Sequence, residues 1–177
     1  MSEPRIRVNI AEWINRVKAA DEVYTRRVIT EIILHGIATT PFLSQRLYLK
    51  GEVLMGLVYG SPRQTVDIDF STSPEYRPNH QTSSELRKYL DNALHQTTAV
   101  LGYADIVLKV QSIKEHPHNR YPNARFPALT VKVGCATRDT LQEKQLTRGQ
   151  ASTVVGLNFT FKEKTSSVQF LEIGRWS

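Results

Sequence analysis

The run Thr65-Val66-Asp67-Ile68-Asp69-Phe70 holds the chain's clearest chemical potential. Its alternation predicts a strand with Val66, Ile68 and Phe70 on one face and Asp67 and Asp69 on the other. Carboxylates at i and i+2 of a strand have Cα atoms about 6–7 Å apart, and like charges held so close repel unless a cation sits beside them. Mg2+ suits such a pair, because it takes one or two carboxylates and fills its shell with water and substrate phosphates. Ions held this way stabilise the attacking and leaving oxygens of a phosphoryl or nucleotidyl displacement. Standing alone, an Asp-x-Asp is more often a solvated strand face, but two neighbours fit the same chemistry. Lys50-Gly51 falls at a strand end ahead of a short helix, where backbone N–H groups can receive a phosphate. Arg63, four residues before Asp67, offers a planar fork to a triphosphate.

The elements that must position these residues are readable from periodicity. Residues 9–36 read as helical: Ile10, Trp13, Ile14 and Val17 recur at helical spacing, and Val28, Ile29, Ile32 and Ile33 resume after Asp21. Asp21-Glu22 suits a second helix start and Gly36 its stop. After a connector over 39–45, Leu47 to Lys50 predicts a short strand. Val53 to Val58 predicts one or two helical turns packed by Leu54, Leu57 and Val58, followed by a Tyr59-Gly60-Ser61-Pro62-Arg63 loop. The Asp strand leads into a polar loop over 71–82, then a helix from Glu85 to about Val100 capped by Ser83 or Ser84, with Leu86, Tyr89, Leu90 and Leu94 on one face. Four strands follow, over 105–110, 128–133, 154–161 and 168–173, with a turn-rich connection at 116–127. The fold class is α+β, one domain over 1–177. Its parts are N-terminal helices (1–45), a core carrying the motif (46–100) and a mainly β portion (101–177).

Composition bounds the answer without choosing it. At 177 residues, 40% hydrophobic and 23% charged, the chain is globular rather than disordered or fibrous. It lacks a run of about 20 apolar residues for a membrane span, and MSEPRIRVNI lacks a secretory apolar core, so the expected location is cytoplasmic. The single Cys135 reads as a small buried apolar residue. The net charge of +6 is compatible with phosphate-bearing partners and equally with an ordinary solvated surface. Trp13 reads as core, and Trp176 as a docking or exposed residue. His116-Pro117-His118 reads as surface loop. Tyr76 and Arg77 are placed where they could stack on a base.

Strand, glycine turn, short helix, then a strand of hydrophobic-Asp-hydrophobic-Asp-hydrophobic is the order found in nucleotidyltransferases of the DNA polymerase β superfamily. More narrowly, LYLKGEVLMGLVYGSPRQTVDIDFS (47–71) resembles the signature of the AbiEii/AbiGii toxin nucleotidyltransferases, and FPALTVKVG and VVGLNFTF extend the resemblance over most of the chain. The resemblance implies a toxin-type enzyme that moves a nucleotide from an NTP, with Mg2+, onto an acceptor that is tRNA in some members. It also implies a cognate antitoxin and a role in a toxin-antitoxin or phage-defence system. By motif position Asp67 and Asp69 would be catalytic and hold metal, Lys50 and Gly51 would frame the triphosphate, and Arg63 would assist. Glu52 stands where the family has its second glycine, and the family's helical C-terminal region is expected to be missing. The superfamily's third carboxylate has only Lys132, Asn158 or Asp105 as counterparts. The alternative expectation is therefore a catalytically impaired protein of this type that binds nucleotide, RNA or a protein partner.

Overall fold

Asn9 ends a strand and starts a helix at once. In the computed structural model, which describes residues 5–61, 67–163 and 171–175, β1 (Ile6–Asn9) runs directly into α1 (Ile10–Asn15). The Asn9 side chain accepts from the Ala11 N–H at 3.2 Å and satisfies one of the helix's otherwise unpaired donors. Ile10, Trp13 and Ile14 then turn inward, as their spacing predicts. The chain continues through α2 (Asp21–Thr39), α3 (Pro41–Ser44), β2 (Leu47–Lys50), α4 (Gly51–Tyr59) and β3 (Asp67–Thr72). It is completed by α5 (Thr82–Val100), β4 (Ile106–His116), β5 (Ala128–Thr137), α6 (Leu141–Thr147), β6 (Thr153–Thr160) and β7 (Leu171–Gly174). This is the expected α+β architecture.

Five strands form a mixed sheet in the order β2-β3-β6-β5-β4, in which β3 and β6 are parallel and the other neighbours antiparallel. Its inner face is built by parity. Ile68 and Phe70, Leu129, Val131 and Val133, and Val155, Leu157 and Phe159 are all buried, and Phe70 stacks on Phe159 with centroids 5.4 Å apart. Burying each such side chain contributes about 1.5–3 kcal/mol, which fixes the register because a one-residue slip would turn the whole set to water. α5 packs against β4, and α2 against α5. The residues of opposite parity, Asp67, Asp69, Thr130, Lys132, Asn158 and Thr160, share the outer, polar face. β1 and β7 pair in parallel as a separate ribbon, Ile6 opposite Leu171 and Asn9 opposite Gly174.

Several boundaries differ from the sequence expectation. α2 does not stop at Gly36 but runs on to Thr39. Gly36 lies instead where α5 crosses, and a Cβ there would stand 3.0 Å from Thr97 Oγ1 and 3.4 Å from the Ala93 Cβ, so the glycine serves close helix packing. The expected connector over 39–45 contains α3, started by Pro41 at a position where its missing N–H costs nothing. In α4 Val53, Gly56 and Leu57 are buried and Val58 is partly buried against the core, as expected of Leu57 and Val58, whereas Leu54 is only partly covered. Neither Ser83 nor Ser84 caps α5. The helix starts at Thr82, and the Ser83 hydroxyl donates to Glu115 on β4 at 2.9 Å. β3 extends to Thr72, β4 runs on to His116 through an irregularity between Val110 and Ser112, and β1 and α6 are additional to the expected elements. Cys135 is half-buried, and burial pushes its thiol up to about 11.

Candidate active site

The two aspartates emerge on the polar face as their parity requires, Asp67 exposed and Asp69 partly covered. Register then selects their neighbours. Lys50 on β2 lies opposite Asp69, and Asn158 on β6 lies on its other side, so Lys50, Asp69 and Asn158 form one row across three strands. Asp67 lies beside Gly156.

Glycines make room for both carboxylates. Gly51, at the first position of α4, has φ +75°, a conformation that favours glycine. A Cβ on it would lie 2.6 Å from Asp69 Oδ2. A Cβ on Gly156 would collide with Asp67 Oδ1. The obstructed atom is the far end of a rotatable side chain, so a methyl there displaces the carboxylate rather than the backbone. Gly156→Ala is accordingly expected to shift Tm by less than about 3 °C while weakening Mn2+ binding roughly tenfold. A titration followed by a melt checks both, and an unchanged metal affinity would show that Asp67 is free to re-aim.

Asp69 is held from the side as well: the Asn158 side-chain amide donates to Asp69 Oδ1 at 3.0 Å. Two carboxylates on one face, each beside a glycine, fit a hard cation that draws its remaining ligands from water and phosphate, and so fit Mg2+. Among the described residues no group of three or more His, Cys, Asp or Glu could hold a metal by itself. His116 and His118 are exposed, with His116 at the end of β4 rather than in a loop.

Lys50 is already engaged. Its ammonium lies 2.7 Å from Glu163 Oε2 and donates to Thr160 Oγ1 at 3.4 Å, and the Ser71 hydroxyl donates to the same Glu163 oxygen. These bonds, first from Lys50 and then from Ser71, hold the Glu163 carboxyl below the usual carboxylate range. A depressed carboxyl stabilises the fold above its unfolded pKa of about 4.3 and loses that contribution as pH falls through the folded value. Both partners are over a third exposed, so the effect is below about 1 kcal/mol. Glu163→Gln is expected to flatten the stability profile below about pH 4. An equally steep acid limb in the variant would count against it.

Glu163 escaped sequence reading for a definable reason. Past β6, strand parity assigns Lys162 to the polar face, but Lys162 takes φ +63° and the alternation ends there. Of the other expected residues, Glu52 lies in the first turn of α4, partly covered. Arg63 and Trp176 lie outside the described residues. Tyr76 is not available to stack on a base: it packs edge-on against Phe42, tilted against Phe161, and beneath the Arg46 guanidinium.

Fold and site together define a class: an α+β chain whose mixed sheet presents a carboxylate pair next to a strand–glycine–helix turn. Residues 32–176 match the family described as nucleotidyl transferase AbiEii toxin, Type IV TA system, and the chain belongs to this family. Among solved structures it is similar to a "putative nucleotidyltransferase from H. pylori", at 15% identity and a TM-score of 0.43, covering 88% of this chain and 55% of that one. The chain thus spans about half the length of that protein. A search of curated proteins finds no match. No described helix is long and apolar enough to cross a membrane.

Proposed function

We propose that the chain transfers a nucleotide from an NTP to an acceptor hydroxyl, with Asp67 and Asp69 holding Mg2+ and Lys50, Gly51 and Arg63 receiving the triphosphate. The observation that carries this reading is the Asp69 carboxylate. One of its oxygens is fixed by Asn158, the other lies in the space Gly51 leaves open, and Lys50 is beside it in register. When bound, the metal offsets charge on the phosphate oxygens. Asp67 and Asp69 orient it, while Gly51 lets the start of α4 approach the phosphates and Lys50 meets their charge. The acceptor oxygen bonds to the α-phosphorus, the α–β bridging bond breaks, pyrophosphate leaves and the hydroxyl proton passes to solvent. Membership of the family supports a toxin-antitoxin setting with a cognate antitoxin as partner, and tRNA is the acceptor we propose to test first.

A second reading, a nucleotide- or RNA-binding protein without turnover, draws support from the Lys50–Glu163 pair and from Glu52 in the first turn of α4. Incubating the chain with radiolabelled NTPs, Mg2+ and total tRNA separates the two. Labelled RNA is expected. Bound NTP without any labelled product overturns transfer and leaves binding.

A further inference from the structure

We propose that Asn158 is the positioning residue of Asp69 and, by supplying a dipole in place of a charge, sets the affinity of the carboxylate pair for a divalent cation. The inference rests on the reading of Asp67 and Asp69 as metal-holding residues.

Its basis is a directional chain of hydrogen bonds along one row of the sheet. Lys114, Thr130, Asn158 and Asp69 are successive cross-strand neighbours on β4, β5, β6 and β3. Asn158 Nδ2 donates to Asp69 Oδ1 at 3.0 Å, and Thr130 Oγ1 donates to Asn158 Oδ1 at 3.3 Å. An ionised carboxylate only accepts, so the amide must present its NH2 to Asp69 and its oxygen to Thr130. The threonine has one proton to give. Having given it to Asn158, its oxygen faces His116 Nε2 at 3.2 Å, a donor when the ring proton is on that nitrogen. The amide is therefore held from behind in the one orientation that can pin Asp69. With Oδ1 pinned, Oδ2 lies in the space that Gly51 leaves by having no Cβ.

Charge makes the choice of an amide consequential. A carboxylate at 158 would stand within hydrogen-bond reach of Asp69 and raise the local charge from two negatives to three. A cation would then relieve repulsion as well as gain a ligand. An alanine would leave Asp69 charged but unaimed. The two substitutions thus act on metal affinity in opposite directions, which a purely structural role for Asn158 would not produce.

The test is Mn2+ titration of the full chain at pH 7.5, followed by electron paramagnetic resonance. Asn158→Ala is expected to weaken binding at least tenfold, Asn158→Asp to tighten it about tenfold, and Thr130→Val to weaken it a few-fold by releasing the amide. Should Asn158→Ala fail to fold, Asn158→Asp and Thr130→Val still carry the test, since one must tighten and the other weaken. Variants that bind like the parent, or that all move the same way, overturn the inference. A parent chain that binds no Mn2+ overturns the metal reading beneath it.

Discussion

Asp69→Asn is expected to lower nucleotide transfer by about 10³-fold while leaving the fold intact. The change keeps size and shape, so β3 retains its pairing with β2 and β6. What it removes is one of two charges on the carboxylate pair. Lewis-acid stabilisation by a well-held ion is worth several kcal/mol, and about 4 kcal/mol corresponds to roughly three orders of magnitude in rate. Asp69 is the more sensitive of the two positions, because Asn158 pins one of its oxygens and Gly51 leaves room for the other, while Asp67 is exposed. Single-turnover labelling of tRNA with saturating NTP and Mg2+ measures the loss. A drop of less than tenfold, with an unchanged melting curve, would sink the assignment of metal to this carboxylate.

The largest effect on stability is expected outside that centre. Arg175→Ala should destabilise the fold by about 3 kcal/mol, since removing one partner strands a buried charge. Glu31 is 3% exposed within α2, and its two oxygens accept from Arg175 Nε and Nη2, each at 2.7 Å. The Tyr103 hydroxyl donates to Glu31 at 2.7 Å, and burial followed by that bond pushes its pKa well up. At 2–4 °C per kcal/mol for a chain of this size, Tm should fall by roughly 6–12 °C. Joining Arg175→Ala to Glu31→Leu should restore much of the loss, because the stranded carboxylate is then gone. Thermal melts by circular dichroism decide it, and a single-variant shift under about 2 °C would mean that water satisfies Glu31 through the opening.

How much of this was legible in the sequence depends on the range of the interaction. Local periodicity was enough for the Asp strand, whose parity holds at Ile68 and Phe70, and for Leu129, Val131 and Val133 on β5. A strand–Gly–helix turn was readable at Leu47–Gly51 because Gly51 breaks the alternation where the backbone turns left-handed. Glycine has two uses that look alike in one dimension, so Gly36 read as a helix stop when it is a helix-crossing residue. Asn158 was visible as a polar strand residue, but its place beside Asp69 depends on which strand β3 joins, and a parallel pairing leaves no local mark. Glu163 required a break in parity at Lys162, which no propensity announces. The pairing of β1 with β7 is likewise a non-local result.

That parallel pairing of β3 with β6 also sets a clock. Asp69 and Asn158 are 89 residues apart in sequence, and Lys50 and Glu163 are 113 apart. At 5–20 residues per second of synthesis, the two aspartates leave the ribosome roughly 4–18 seconds ahead of Asn158. A nascent chain carries the acidic motif for that interval without the β6 strand that aims it. The centre is therefore completed by the late-made strands, and a truncated product ending inside β5 would display both aspartates without the Asn158 bond that aims Asp69.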